Sequence, residues 1–219
     1  MIPETIAKIK QGLFSGFRSL PIALAVTTFI FAFMQTNVAF ILLFVGLAII
    51  VPISTTLTNL VLDFILSKTS LSPSMWQVPV SAACTIVGSP APIFGVPTFW
   101  MSSIVFFFTY ITLNGISLYN READEAADKN KVLARKSQAL IGIILSVIIG
   151  IACIIGRILL MGCETGVGVF AALITMIPLA IGWYNFGTEC GITDIFGIAN
   201  GLLPMSAKAN AAYVCVNDI

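Results

Sequence analysis

The chain has 219 residues, of which 58% are hydrophobic and 10% charged. Its formal net charge is +1 and it contains no histidine, so composition supplies neither a nucleic-acid-binding balance nor the commonest general base and metal ligand. Charge is absent from residues 19–62, 69–120, 137–156 and 165–188. A bilayer core about 30 Å thick needs roughly 20 apolar residues of helix to cross it. The expected fold is therefore an all-α membrane protein, a polytopic bundle of four or five hydrophobic helices with a Pro-rich loop and a short ordered C-terminal tail.

Residues 1–18 place Ile2, Ile6, Ile9, Leu13 and Phe17 at helical spacing, with Lys8 and Lys10 on other faces. They read as an amphipathic helix at the membrane surface, with a frayed terminus as the plain alternative. The early charges Glu4, Lys8 and Lys10 and the lack of a small-x-small pattern argue against a cleavable signal.

Residues 19–68 form a hydrophobic helical hairpin. Leu20 to Met34 and Val38 to Ile53 are apolar, and Gln35-Thr36-Asn37 between them supplies a cap in Thr36 or Asn37. Pro52 and Ser54-Thr55-Thr56 mark an exit or kink, and Asp63 and Lys68 lie near an interface. Residues 69–98 are Pro-rich, uncharged and apolar. Pro73, Pro79, Pro90, Pro92 and Pro97 rule out a continuous helix. A loop of this kind packs on its own bundle, lines a cavity or meets a partner.

Residues 99–184 hold three transmembrane helices. Trp100 to Tyr119 has aromatics at both ends, and Phe106-Phe107-Phe108 suits lipid on all sides. A charged helical hairpin over 120–137 follows, with Arg121/Glu125 and Glu125/Lys129 at i,i+4 and a turn near Asp128-Lys129-Asn130. Leu140 to Leu159 repeats Gly142, Ser146 and Gly150 every four residues, a stripe for close helix contact. Arg157 near its end is placed to snorkel to the headgroups. Val167 to Tyr184 is the last span, and 185–219 reads as a C-terminal tail.

The number of crossings stays open. Five crossings set Lys8, Lys10, Arg18, Lys68 and Arg157 against Arg121, Lys129, Lys131, Arg135, Lys136 and Lys208, which is nearly even. Four crossings give a strong positive-inside bias with both termini inside. Hairpin length and the Gln-Thr-Asn turn favour five helices.

Chemistry is sparse. Ionisable groups inside a membrane are costly and mark function, but Asp63 and Arg157 both read as helix-end anchors. There is no paired intramembrane Asp, no H-E-x-x-H and no phosphate-binding Gly-rich loop. Cys84, Cys153, Cys163, Cys190 and Cys215 show no C-x-x-C spacing, so no metal, cofactor or catalytic residue is expected. Cys153 reads as a small core residue, and Cys190 and Cys215 are the pair an oxidised tail would join. Thr and Asn side chains along the spans could line a path in an oligomer, or satisfy backbone within their own helices.

In the tail, Glu189-Cys190-Gly191-Ile192-Thr193-Asp194-Ile195-Phe196-Gly197-Ile198 is followed by Ala212-Tyr213-Val214-Cys215-Val216. This ending after several uncharged spans resembles small multi-pass membrane proteins of large icosahedral double-stranded DNA viruses. The resemblance implies a minor capsid protein that ties the shell to an internal membrane of the virion.

The sequence thus favours a non-enzymatic membrane anchor for a larger assembly. The alternatives are a channel or transporter subunit and an accessory subunit of a membrane complex. Expected partners are membrane lipid, other proteins of the assembly and further copies of the chain, with no nucleic acid. Expected partner contacts are Trp76, Pro79, Phe94, Arg121, Glu125, Arg135, Cys190, Asp194 and Phe196. Gly142, Ser146 and Gly150 are expected in helix packing.

Overall fold

Helices dominate the residues that the computed structural model describes, which are 12, 14–34, 37–69, 72, 76–79, 84, 93–122 and 129–190. Five long helices follow in chain order: α1 (Leu20–Met34), α2 (Val38–Leu66), α3 (Phe99–Asn120), α4 (Lys129–Ile155) and α5 (Gly166–Glu189). Two three-residue strands, β1 (Gln77–Pro79) and β2 (Ile93–Gly95), form an antiparallel ribbon between α2 and α3. Four helices are long and apolar enough to cross a membrane, and α1 is a shorter apolar helix. The protein is a multi-pass helical membrane bundle. Of the amphipathic segment expected over 1–18, Gly12 and residues 14–18 are helical; the rest lies outside the described residues.

Local chemistry sets the helix ends. Asn37 caps α2 through Oδ1, which accepts from Ala39 N at 2.9 Å. Thr98 and Thr165 cap α3 and α5 in the same way, accepting from Met101 N and Gly168 N. Gly162, with φ +61°, takes the left-handed conformation that follows α4, which a side chain would strain.

Pro52 does not end its helix. The turn Gly46–Ile50 before it is widened, with Val51 N–H donating to Gly46 O, and the helix resumes as Val51–Leu66. A proline lacks the N–H that its preceding turn needs, and widening that turn accommodates the gap. Thr55, Thr56 and Thr58 then donate back to Val51, Pro52 and Ser54 carbonyls at 2.8–2.9 Å, so these hydroxyls satisfy their own helix.

α3 occupies the centre, although its Phe106-Phe107-Phe108 run would suit lipid on all sides. It is the least apolar of the four long spans and the most buried, while α4 is the most apolar and the least buried. Lipid cannot satisfy polar groups, so the helix carrying Ser102, Ser103 and Asn114 goes inside. The core around it is Leu43, Leu47 and Val51 of α2, Met101, Phe106 and Tyr110 of α3, and Ala172, Met176 and Tyr184 of α5.

Lipid tails are as apolar as these side chains, so close packing rather than water exclusion holds the helices together. Small residues let backbones approach. A Cβ on Gly46 would lie 2.8 Å from the Phe106 ring, and one on Gly115 would lie 2.8 Å from Ile143 Cγ1. α4 packs on α3 and turns Ile144, Leu145, Ile148, Ile151 and Ile155 outward.

Two expected boundaries move. Lys129 and Asn130, expected in a turn, already belong to α4. α5 continues past Tyr184 to Glu189.

Candidate functional site

The chemistry of the chain gathers at one end of the bundle, where α2 and α4 finish and α3 and α5 begin. The described parts of the Pro-rich segment that make contacts here are Trp76, Cys84 and Val96 to Thr98. Trp76 is buried against Leu66, Val96 and Val167, and its carbonyl accepts from Val96 N at 3.2 Å. Asn59 of α2 reaches the same strand end, where its side-chain amide, turned so that the nitrogen donates, lies 2.9 Å from Val96 O. Cys84 is joined to Cys163, across 79 residues of sequence, by a disulfide with a Cα–Cα distance of 5.2 Å.

Arg157 lies in the widened turn Gly156–Leu160 that continues from α4, and is 1% exposed. It does not snorkel. Its Nη2 donates to Cys84 O at 3.2 Å, and its guanidinium carbon lies 5.0 Å from the centre of the Trp100 ring. Arginine stacks on aromatic faces and is weakly hydrated, so this buried placement suits it better than lysine. The Trp100 indole also donates to Phe17 O at 2.9 Å, and the two rings are 4.8 Å apart. That contact brings the chain before α1 to the same point.

Glu164 completes the cluster and is 6% exposed. One carboxylate oxygen, Oε2, accepts from Thr98 N at 3.1 Å and from Thr98 Oγ1 at 2.6 Å. Thr98 caps α3, and Glu164 immediately precedes Thr165, the cap of α5. The carboxylate thus sits at two helix N-termini, where free N–H groups and the helix dipole favour negative charge. Burial pushes its pKa up, opposed by the Thr98 hydrogen bonds and by the charge of Arg157. Glu164 Oε1 and Arg157 Nε and Nη1 make no hydrogen bond.

Gly168 makes the close approach possible. A Cβ there would lie 2.8 Å from Val96 Cβ and 2.9 Å from Glu164 Cδ, and would overlap Oε1. The result is a clamp: a disulfide, a stacked arginine and a doubly bonded carboxylate hold the Pro-rich segment across the ends of the helices. The sulfurs are tied up as disulfide, and the carboxylate and guanidinium are engaged in holding backbone.

The expected contact residues fall differently. Trp76 and Arg135 are buried within the chain, so neither is a surface for a partner. Trp76 fills the clamp, and Arg135 donates from Nη2 to Arg121 O, closing the far end of the α3–α4 pair. Arg121 is half-buried, and Cys190 is exposed with a free thiol. Pro79 and Phe94 lie in β1 and β2. Glu125, Asp194, Phe196 and Cys215 lie outside the described residues.

Two positions of the small-residue stripe meet α3. Gly150 abuts Phe108, where a Cβ would come within 3.2 Å, and the Ser146 hydroxyl lies 2.8 Å from that of Thr112. Gly142 is exposed, with nothing within 4 Å of its would-be Cβ. At that level the small residue is Gly115 on α3, which receives Ile143.

Sequence reading missed Glu164, Thr98 and the Cys84–Cys163 pair. The available signal was the run Cys163-Glu164-Thr165-Gly166, a carboxylate beside a helix cap between two apolar spans. No protein-family model, curated protein or solved structure matches this chain.

Proposed function

We propose that this protein is a non-enzymatic membrane scaffold that anchors a larger protein assembly to a bilayer. The observation that carries this reading is the clamp. A chain in which a disulfide and two buried charges, Arg157 and Glu164, fix one loop across the bundle end is built to present a rigid face. The interior of the bundle supports the same reading. Between its ends lie Leu43, Leu47, Met101, Phe106 and Met176, large apolar side chains in contact rather than a polar path.

The resemblance of the tail names the assembly to test first: an icosahedral capsid lying over an internal membrane. In that role the helices hold the lipid and the extramembrane ends meet protein. Gentle solubilisation of the native membrane or particle, followed by measurement of the mass and composition of the extracted complex, tests this. The chain should leave the membrane in stoichiometric complex with non-identical proteins. Extraction as a pure homo-oligomer that passes ions in liposomes would replace the scaffold with a pore.

A further inference from the structure

The helices can be placed in order of depth from their contacts. Gly46 of α2 faces Phe106 and Trp183, while Asn59 of α2 faces Gly95, so α2 runs from the end of α5 toward the clamp. α4 runs the same way along α3, from Arg135 beside Arg121, through Ser146 beside Thr112, to Gly150 beside Phe108. α3 and α5 run away from the clamp, with Tyr110 beside Tyr184. α1 lies antiparallel to α2, with Phe31 against Phe40 and Phe29 against Phe44. The helical turn that precedes it, at Phe17, touches Trp100 at the clamp. Alternate elements therefore run in opposite directions through one layer.

The two ends differ in the state of their cysteines. Cys84 and Cys163 are bonded at the clamp end. Cys190 follows the last turn of α5 at the opposite end and is exposed and free. Disulfides persist in oxidising compartments, whereas the cytosol keeps thiols reduced. Lysine and arginine do not choose between the ends, since the fold buries Arg157 at one and Arg135 near the other and leaves the near-even balance unchanged.

We propose that the clamp faces an oxidising compartment, and that the α3–α4 connection and Cys190 face the cytosol. The segment before α1 is then on the oxidising side, and the chain crosses five times with its two ends on opposite sides. This does not depend on the scaffold reading. It limits the partners at each face: a protein meeting the clamp must be lumenal or extracellular, and one meeting the α3–α4 connection must be cytosolic.

The test uses the full chain inserted into sealed microsomes with the cytosolic face outward. Cys153 and Cys215 are replaced by serine, and a membrane-impermeant maleimide of large mass reports each accessible thiol. Cys190 should be modified in intact vesicles, and Cys190→Ser should abolish that modification. Cys84 and Cys163 should react only after reduction and opening of the membrane in SDS. Modification of Cys84 or Cys163 in intact vesicles, or of Cys190 only after opening, would overturn the assignment. Glycan acceptors supply a second reading that keeps every cysteine, because the sequence contains no native Asn-x-Ser/Thr acceptor. Ser67→Asn creates an acceptor with Thr69 at the clamp end and should be glycosylated. Glu122→Thr creates one with Asn120 at the other end and should not be. The reverse pattern contradicts the proposal.

Discussion

Gly168→Ala tests the clamp at its tightest point. In an ordinary exposed helix this change would stabilise the fold by about 1 kcal/mol, because glycine is the poorer helix former. Here the new methyl would lie 2.8 Å from Val96 Cβ and 2.9 Å from Glu164 Cδ and would overlap the Oε1 position. Val96 is 1% exposed and held by Trp76, so the carboxylate is the group that must move. Moving it strains two hydrogen bonds from Thr98. A hydrogen bond to a charged group is worth about 1.5–3 kcal/mol, and overpacking costs about 1–3 kcal/mol. Set against the helix gain, the net loss is about 2–4 kcal/mol, or a melting temperature lower by roughly 4–16 °C for a chain of this size. The assay is thermal unfolding in mild detergent, followed by tryptophan fluorescence. Gly142→Ala is the matched control. It lies in open space on α4 and should hold or slightly raise the melting temperature. If Gly168→Ala stabilises as Gly142→Ala does, the packing of Glu164 against α5 is wrong.

Other consequences follow from the same geometry. Glu164 has a carboxyl pKa raised above its ordinary 4.5 by burial, so the folded state holds the proton more tightly than the unfolded chain. Its contribution to stability should be full below about pH 4.5 and lost as pH rises through the raised folded value, and Glu164→Gln should flatten that slope in melting curves taken across this range. Arg157→Met removes the hydrogen bond to Cys84 O and the stacking on Trp100, a loss of about 1.5–3 kcal/mol. The double variant Arg157→Met/Glu164→Gln should be less destabilised than the two singles added together, as a double-mutant cycle in detergent would measure. Gly150→Leu should lower extraction stability by about 1–3 kcal/mol by pushing on Phe108, while Gly142→Leu should change it little. Equal effects at the two positions would remove the α3–α4 contact.

Uncharged stretches made the spans legible, since a membrane helix must exclude charge for its whole length and Asp, Glu, Lys and Arg are easy to locate. Capping was legible too, at Asn37. At Pro52 the sequence left exit and kink open, because its effect depends on whether the preceding turn can widen, and the packing of Gly46 against Phe106 is set by another helix. Phe106-Phe107-Phe108 drew α3 toward lipid, while Ser102, Ser103 and Asn114 on the same helix carried the opposing signal. Polar groups decide such a contest, because lipid welcomes a phenylalanine no more than a protein core does. Arg157 was read as an end-residue in water because its partners come from three other parts of the chain: Trp100, Cys84 and Glu164. The Cys84–Cys163 bond was illegible for the same reason. Proximity across 79 residues is a property of the fold, whereas the shared place of Cys190 and Cys215 in the tail is visible in the sequence.

Cross-linking in the native membrane or particle, read residue by residue by mass spectrometry, tests the scaffold role most directly. Lys68 is exposed at the clamp end and Lys129 at the opposite end, so each reports on one face. A scaffold should yield links from at least one of these lysines to proteins other than itself, concentrated on a single face. Links confined to further copies of this chain, with none to any other protein, would contradict the account.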